Sequence, residues 1–142
     1  MTLAETIDLF RSTDPDTRLY LLLDYSDRLP PLPTELEALR DAGMGRVHEC
    51  ATPVFLYPRI ETEGGEQRVH LHADVPRESP TVRGLVSLLA ETLDGAAPAE
   101  VAAVPDNLLD ELGIAGQLGQ RRQQGFAGVL LSLKLAVAGA AG

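Results

Sequence analysis

The sequence predicts an α+β fold, with helices at both ends around a small antiparallel β-sheet, and three observations carry that prediction. Apolar residues recur at helical spacing near both termini, two β-rich runs flank a glycine pair in the middle, and no internal repeat or linker interrupts the 142 residues. A chain of this length, with 44% hydrophobic and 23% charged residues, is long enough for one core and short for two, so one domain over residues 1–142 is expected.

At the start, Thr2 is an N-cap with Glu5 three residues on, and Ile7, Leu9 and Phe10 make the apolar side of a short helix. Asp14-Pro15 ends it and begins a second, in which Leu19, Leu22, Leu23 and Ser26 follow the helical template to about Arg28. The prolines of RLPPLP break the chain through Pro33, Thr34 with Glu37 suggests another capping box, and Gly43 and Gly45 loosen the approach to Cys50. Val47 is a candidate start for a strand just before the cysteine.

TPVFLYPRIE is rich in β-branched and aromatic residues, and QRVHLHADV alternates Val69, Leu71 and Ala73 against Arg68, His70 and His72. Gly64-Gly65 between them marks a hairpin turn, in a register that sets His70 opposite Arg59 and His72 opposite Tyr57. Ser79-Pro80 opens a helix with Val82, Leu85, Val86 and Leu89 as its buried stripe and Gly95 as its stop. Pro98 to Ala103 and Pro105 to Leu112 read as two short helices. Phe126, Val129, Leu130, Leu133 and Val137 then share one face of a long closing helix. Gly84 and Gly125 inside helical patterns are costly unless something packs closely on them.

Several function classes are excluded or disfavoured. A net charge of −9 repels phosphate backbones and argues against nucleic acid. The first residues lack the pattern of a signal peptide, and the most apolar stretch, Phe126 to Gly142, is interrupted by Lys134, so a cytoplasmic protein without a membrane segment is expected. No GxSxG, Walker or GxGxxG motif occurs. His48, Cys50, His70 and His72 supply metal-donor types, but their spacing matches no zinc motif and no metal is expected. Asp106, Asp110 and Glu111 read as a solvated helix face.

Cys50 is the single cysteine, so neither an internal disulfide nor a CxxC pair is possible. Two readings stand side by side: a buried small hydrophobe, or a reactive thiol in a loop, favoured by its polar neighbours His48, Glu49 and Thr52 ahead of a strand.

A set of segments carries a resemblance: YSDRLPPLP with Arg28-Leu29-Pro30, VHECATPVFLY with Val47, Cys50, Thr52 and Val54, a hairpin ending at Asp74, VRGL at 82–85, and RQQG at 122–125. In this order they resemble the SufE family of sulfur acceptors over nearly the whole chain. The match departs from the family at Glu49, where glycine is usual, at His48, at Pro53, and in a longer stretch after Asp74.

The resemblance implies that Cys50 receives persulfide sulfur from a pyridoxal-phosphate-dependent cysteine desulfurase of SufS type, stimulates that enzyme, and passes the sulfur to an iron–sulfur scaffold protein. It implies no cofactor in this chain and a carrier rather than a stand-alone enzyme. His48, Glu49, Asp74 and Arg122 are the partner-binding candidates. A lone thiol suits sulfur exchange, which proceeds through a thiolate, because a neighbouring cysteine would expel the sulfur as a disulfide formed. Met44, Val47 and Val54 are expected to cover the thiol. A thiol peroxidase and a noncatalytic binding module are the alternatives from other classes.

Overall fold

The structure, a computed structural model, describes residues 1–141. It holds α1 (Leu3–Ser12), α2 (Pro15–Arg28), α3 (Thr34–Asp41), β1 (Phe55–Glu63), β2 (Glu66–Asp74), α4 (Pro80–Thr92), α5 (Pro98–Ala102), α6 (Leu108–Glu111), a 3₁₀ turn (Ala115–Gln117) and α7 (Gln120–Ala141). The expected α+β class, helices at both ends of an antiparallel pair, is what forms.

Local chemistry explains most of these boundaries. The Thr2 hydroxyl accepts from Glu5 N–H while the Glu5 carboxylate accepts from Thr2 N–H, a complete capping box. Pro15, Pro80 and Pro98 each open a helix, where a missing N–H costs nothing. Thr34 does not cap α3: the Pro33 carbonyl already accepts from Leu36 and Glu37, so Pro33 takes the cap position and Thr34 is the first helical residue. The helix expected over Pro105 to Leu112 shortens to Leu108–Glu111.

The strands pair in the predicted register, Tyr57 against His72 and Arg59 against His70. Gly64 and Gly65, at φ 61° and 84°, make the two-residue turn that sets it. Val47 does not begin a third strand. A single bridge joins Arg46 to Phe55, and Pro53, without an N–H, cannot extend the ladder. On the other side, Ala96 bridges Val69 just after Gly95, whose φ of 77° turns the chain away from α4.

The hairpin lies between two helices, β2 against α4 and β1 against α7, while α2 packs along α4. Val82 to Leu89 are all buried, a wider face than the four-residue stripe expected, because α4 is covered by α2, α1 and β2. Gly84 explains how α2 comes so close: a Cβ there would sit 2.3 Å from the Leu22 carbonyl oxygen. Beside it, buried Arg83 donates to the carbonyls of Ser26 (2.8 Å), Val75 (2.6 Å) and Leu29 (3.2 Å), closing the C-terminal end of α2.

On α7, Phe126, Val129, Leu130, Leu133 and Val137 are buried as predicted, together with Gly125. By length and composition this helix is long and apolar enough to cross a membrane. Its buried stripe packs on β1 and α5, and Lys134 is tied to the Val104 carbonyl and to Asp106.

Candidate thiol site

The cysteine sits in a loop closed at its base by ordinary backbone chemistry. Leu56 N–H donates to Gly45 O at 3.0 Å, Val47 N–H to Val54 O at 2.8 Å, and the Tyr57 hydroxyl to Met44 O at 2.7 Å. Burial pushes the Tyr57 hydroxyl pKa up, which keeps this donor protonated. Gly45 is shape-determined rather than merely flexible. It adopts φ 81°, and a Cβ there would lie 2.6 Å from the Tyr57 ring. Gly43 also has φ 81°.

Within that frame the chain runs outward and back, and Cys50 turns inward. The residue is 5% exposed and belongs to the main hydrophobic cluster with Val47, Val54, Phe126 and Val129. The cysteine combines a feature of each reading: it lies in a loop, and it is buried. His48, Glu49, Ala51 and Pro53 face solvent around it. Val47 and Val54, expected to cover the thiol, are buried in the same cluster, whereas Met44 is 59% exposed and does not cover it.

The floor under the thiol is α7. A Cβ on Gly125 would lie 3.2 Å from Cys50 Sγ, and a Cβ on Gly128 only 2.6 Å from Glu49 Cβ. Three residues apart, the two glycines lie on one side of the helix and let Glu49 and Cys50 rest on its backbone. Gly125 carries the close packing expected of it. Gly128 escaped the sequence reading, although its i, i+3 spacing from Gly125 on a buried helix face was the available signal.

The partner-binding candidates lie in three places. His48 and Glu49 flank the thiol directly. Arg122, on the first turn of α7, lines a cavity of about 140 Å³ with Thr52, Ser79 and the start of α4; Thr52 Oγ1 and Ser79 Oγ lie 3.4 Å apart. Asp74 ends β2 opposite Phe55, where Arg40 of α3 holds it at 3.4 Å. The Arg40 guanidinium is itself raised above its ordinary value, first by Asp41 and then by Asp74.

The histidines do not gather at the thiol. His70 places Nε2 2.7 Å from Glu63 and Nδ1 2.7 Å from Asp94, with Glu61 at 3.8 Å. These hydrogen bonds, Glu63 foremost, raise its pKa and favour a proton between the carboxylates. Glu61, Glu63 and His70 hold three potential ligand atoms within 4.8 Å, on a face that includes neither Cys50 nor His48. His72 lines a separate hollow with Arg28, Pro30 and Leu71.

The arrangement offers one nucleophile and no second thiol to resolve it. Such a site suits exchange of a single sulfur atom with a donor brought by another molecule.

The comparisons with known proteins identify the family. The model of the SufE Fe–S metabolism associated domain matches residues 4–137. The chain belongs to the SufE family. An uncharacterised SufE-like protein of Mycobacterium tuberculosis is 36% identical over 132 residues, covering 93% of this chain and 88% of that one. The sulfur acceptor protein CsdE of Escherichia coli is 34% identical over 106 residues, covering 74% of this chain and 66% of that one. The solution structure of a hypothetical protein from Thermus thermophilus superposes with a TM-score of 0.80 at 34% identity, covering 99% of this chain and 98% of that one.

Proposed function

We propose that this protein is a sulfur carrier that takes persulfide sulfur onto Cys50 from a cysteine desulfurase, stimulates that enzyme and delivers the sulfur for iron–sulfur cluster assembly. The observation that carries the reading is the lone thiol, held in a loop yet turned into the apolar cluster against α7. Family membership and the similarity to a named sulfur acceptor support it.

The step is a thiol exchange. The Cys50 thiolate attacks the outer sulfur of the partner's Cys–S–SH; a sulfur–sulfur bond forms to Cys50 as the partner's bond breaks, and the partner's cysteine leaves as a thiolate. No net oxidation occurs. Clearing the persulfide frees the partner for another turnover, which is how acceptance stimulates it. The pyridoxal phosphate of that reaction belongs to the desulfurase. His48, Glu49 and Arg122 are the exposed groups next to the loop that a docking partner meets first. A scaffold protein then receives the sulfur by the same exchange run once more, and the protein works in the cytoplasm.

The test is the intact mass of the protein after incubation with a cysteine desulfurase of the same organism and cysteine. The reading expects one added sulfur atom, removed by reductant and absent from Cys50→Ser. No gain in mass with an active cognate desulfurase overturns it.

A further inference from the structure

We propose that Gly125 and Gly128 are positioning residues, a two-glycine seat on α7 that holds the Cys50 loop closed and so sets how often the thiol reaches solvent. This deepens the carrier reading by naming the surface that controls access to the sulfur-bearing atom.

Glycine is among the poorest helix formers, so two within one turn of a long helix call for a reason. The reason is on the loop side. A Cβ at Gly128 would stand 2.6 Å from Glu49 Cβ and 3.3 Å from its Cγ. Carbon atoms in contact rest about 3.5–4.0 Å apart. Glu49 Cβ is bonded to the loop backbone, so no side-chain rotation relieves the overlap and the loop itself has to lift. At Gly125 a Cβ would touch Cys50 at Sγ (3.2 Å), Cα (3.6 Å) and Cβ (3.7 Å). A third glycine of the same helix is different: Gly139 has no atom within 4 Å of where its Cβ would be.

Few hydrogen bonds fasten the tip of the loop. Among the described residues its backbone ties lie at Gly45, Val47, Val54 and Leu56, and the side-chain hydrogen bond from the tip is the long 3.4 Å approach of Thr52 to Ser79. The tip is therefore held by burial of Cys50 against α7, a seat the two glycines make possible, rather than by hydrogen bonds, and the loop is free to leave as a unit when something else binds it.

The experiment measures alkylation of Cys50 by iodoacetamide in the full chain, with thermal unfolding recorded for each variant. The set is wild type, Gly128→Ala, Gly139→Ala, Glu49→Gly, and Gly128→Ala combined with Glu49→Gly. Gly128→Ala is expected to label about tenfold faster, equivalent to about 1.4 kcal/mol of lost closure, with a thermal midpoint within a few degrees of wild type, because alanine is the better helix former and offsets much of that loss. Gly139→Ala is expected to label as wild type does. Removing the Glu49 side chain should abolish the acceleration, so that Gly128→Ala has no effect in the Glu49→Gly background. Wild-type labelling by Gly128→Ala, the same acceleration with Glu49→Gly present, or acceleration accompanied by a fall in thermal midpoint of more than about 6 °C would each overturn the proposal. Labelling needs no sulfur donor, so this result stands or falls separately from sulfur acceptance.

Discussion

Two glycine contacts in this protein look alike and do different work. Gly84 lets α4 close on α2, with a Cβ there only 2.3 Å from the Leu22 carbonyl oxygen; Gly128 lets the thiol loop rest on α7, with a Cβ 2.6 Å from Glu49 Cβ. The first contact is with a helix backbone that Arg83 fastens through three carbonyls. The second is with a loop whose tip, among the described residues, has one long side-chain hydrogen bond. Filling the first space strains the scaffold, while filling the second displaces the loop and leaves the scaffold standing. The fold thus keeps a rigid half for stability beside a weakly held segment that carries the chemistry.

The largest expected effect tests the rigid half. Gly84→Ala should cost about 3 kcal/mol or more through overpacking against a backbone that cannot retreat, read as a thermal midpoint lower by roughly 10 °C. If Gly84→Ala were as mild as Gly128→Ala, the contrast between the two contacts would collapse. Next comes Arg83→Met, which keeps the bulk but leaves three buried carbonyls without a donor. A loss of about 2–3 kcal/mol in urea unfolding is expected, with little change in Cys50 labelling.

A smaller effect concerns the outer face of the hairpin. His70 gains proton affinity on folding from Glu63 and then Asp94. Its contribution is fully present below the ordinary value of 6.5 and fades as pH rises through the raised folded value. His70→Gln should therefore flatten the fall in stability on that alkaline side, measured as urea midpoints across a pH series. The smallest effect belongs to Arg28 and Glu91, paired at 2.8 Å but each about half exposed. Glu91→Gln should change stability by less than about 1 kcal/mol.

The same contrast explains what the sequence reveals. Helix starts at Thr2, Pro15, Pro80 and Pro98 depend on residues within one turn, and the hairpin register depends on Gly64-Gly65 and strict alternation, so all were legible. The buried face of α7 followed from spacing alone. The conformation around Cys50 was not legible, because it depends on Tyr57 meeting Gly45 and on Gly125 and Gly128 meeting residues far earlier in the chain. Val47, a β-branched residue ahead of the TPVFLY run, reads locally as a strand start, but the pairing there stops at the single Arg46–Phe55 bridge. The thiol itself was identified from its singularity and the surrounding pattern, whereas its burial came from packing across the chain.

The central claim is that Cys50 carries sulfur in a shielded position. Protein loaded by a desulfurase and cysteine, then separated from both, should be exposed to a low concentration of dithiothreitol, and the added sulfur followed by intact mass in the folded state and in urea. Slow loss from the folded protein and rapid loss from the unfolded one is the predicted result. Equal rates would contradict the shielding, and failure to load at all would contradict the carrier.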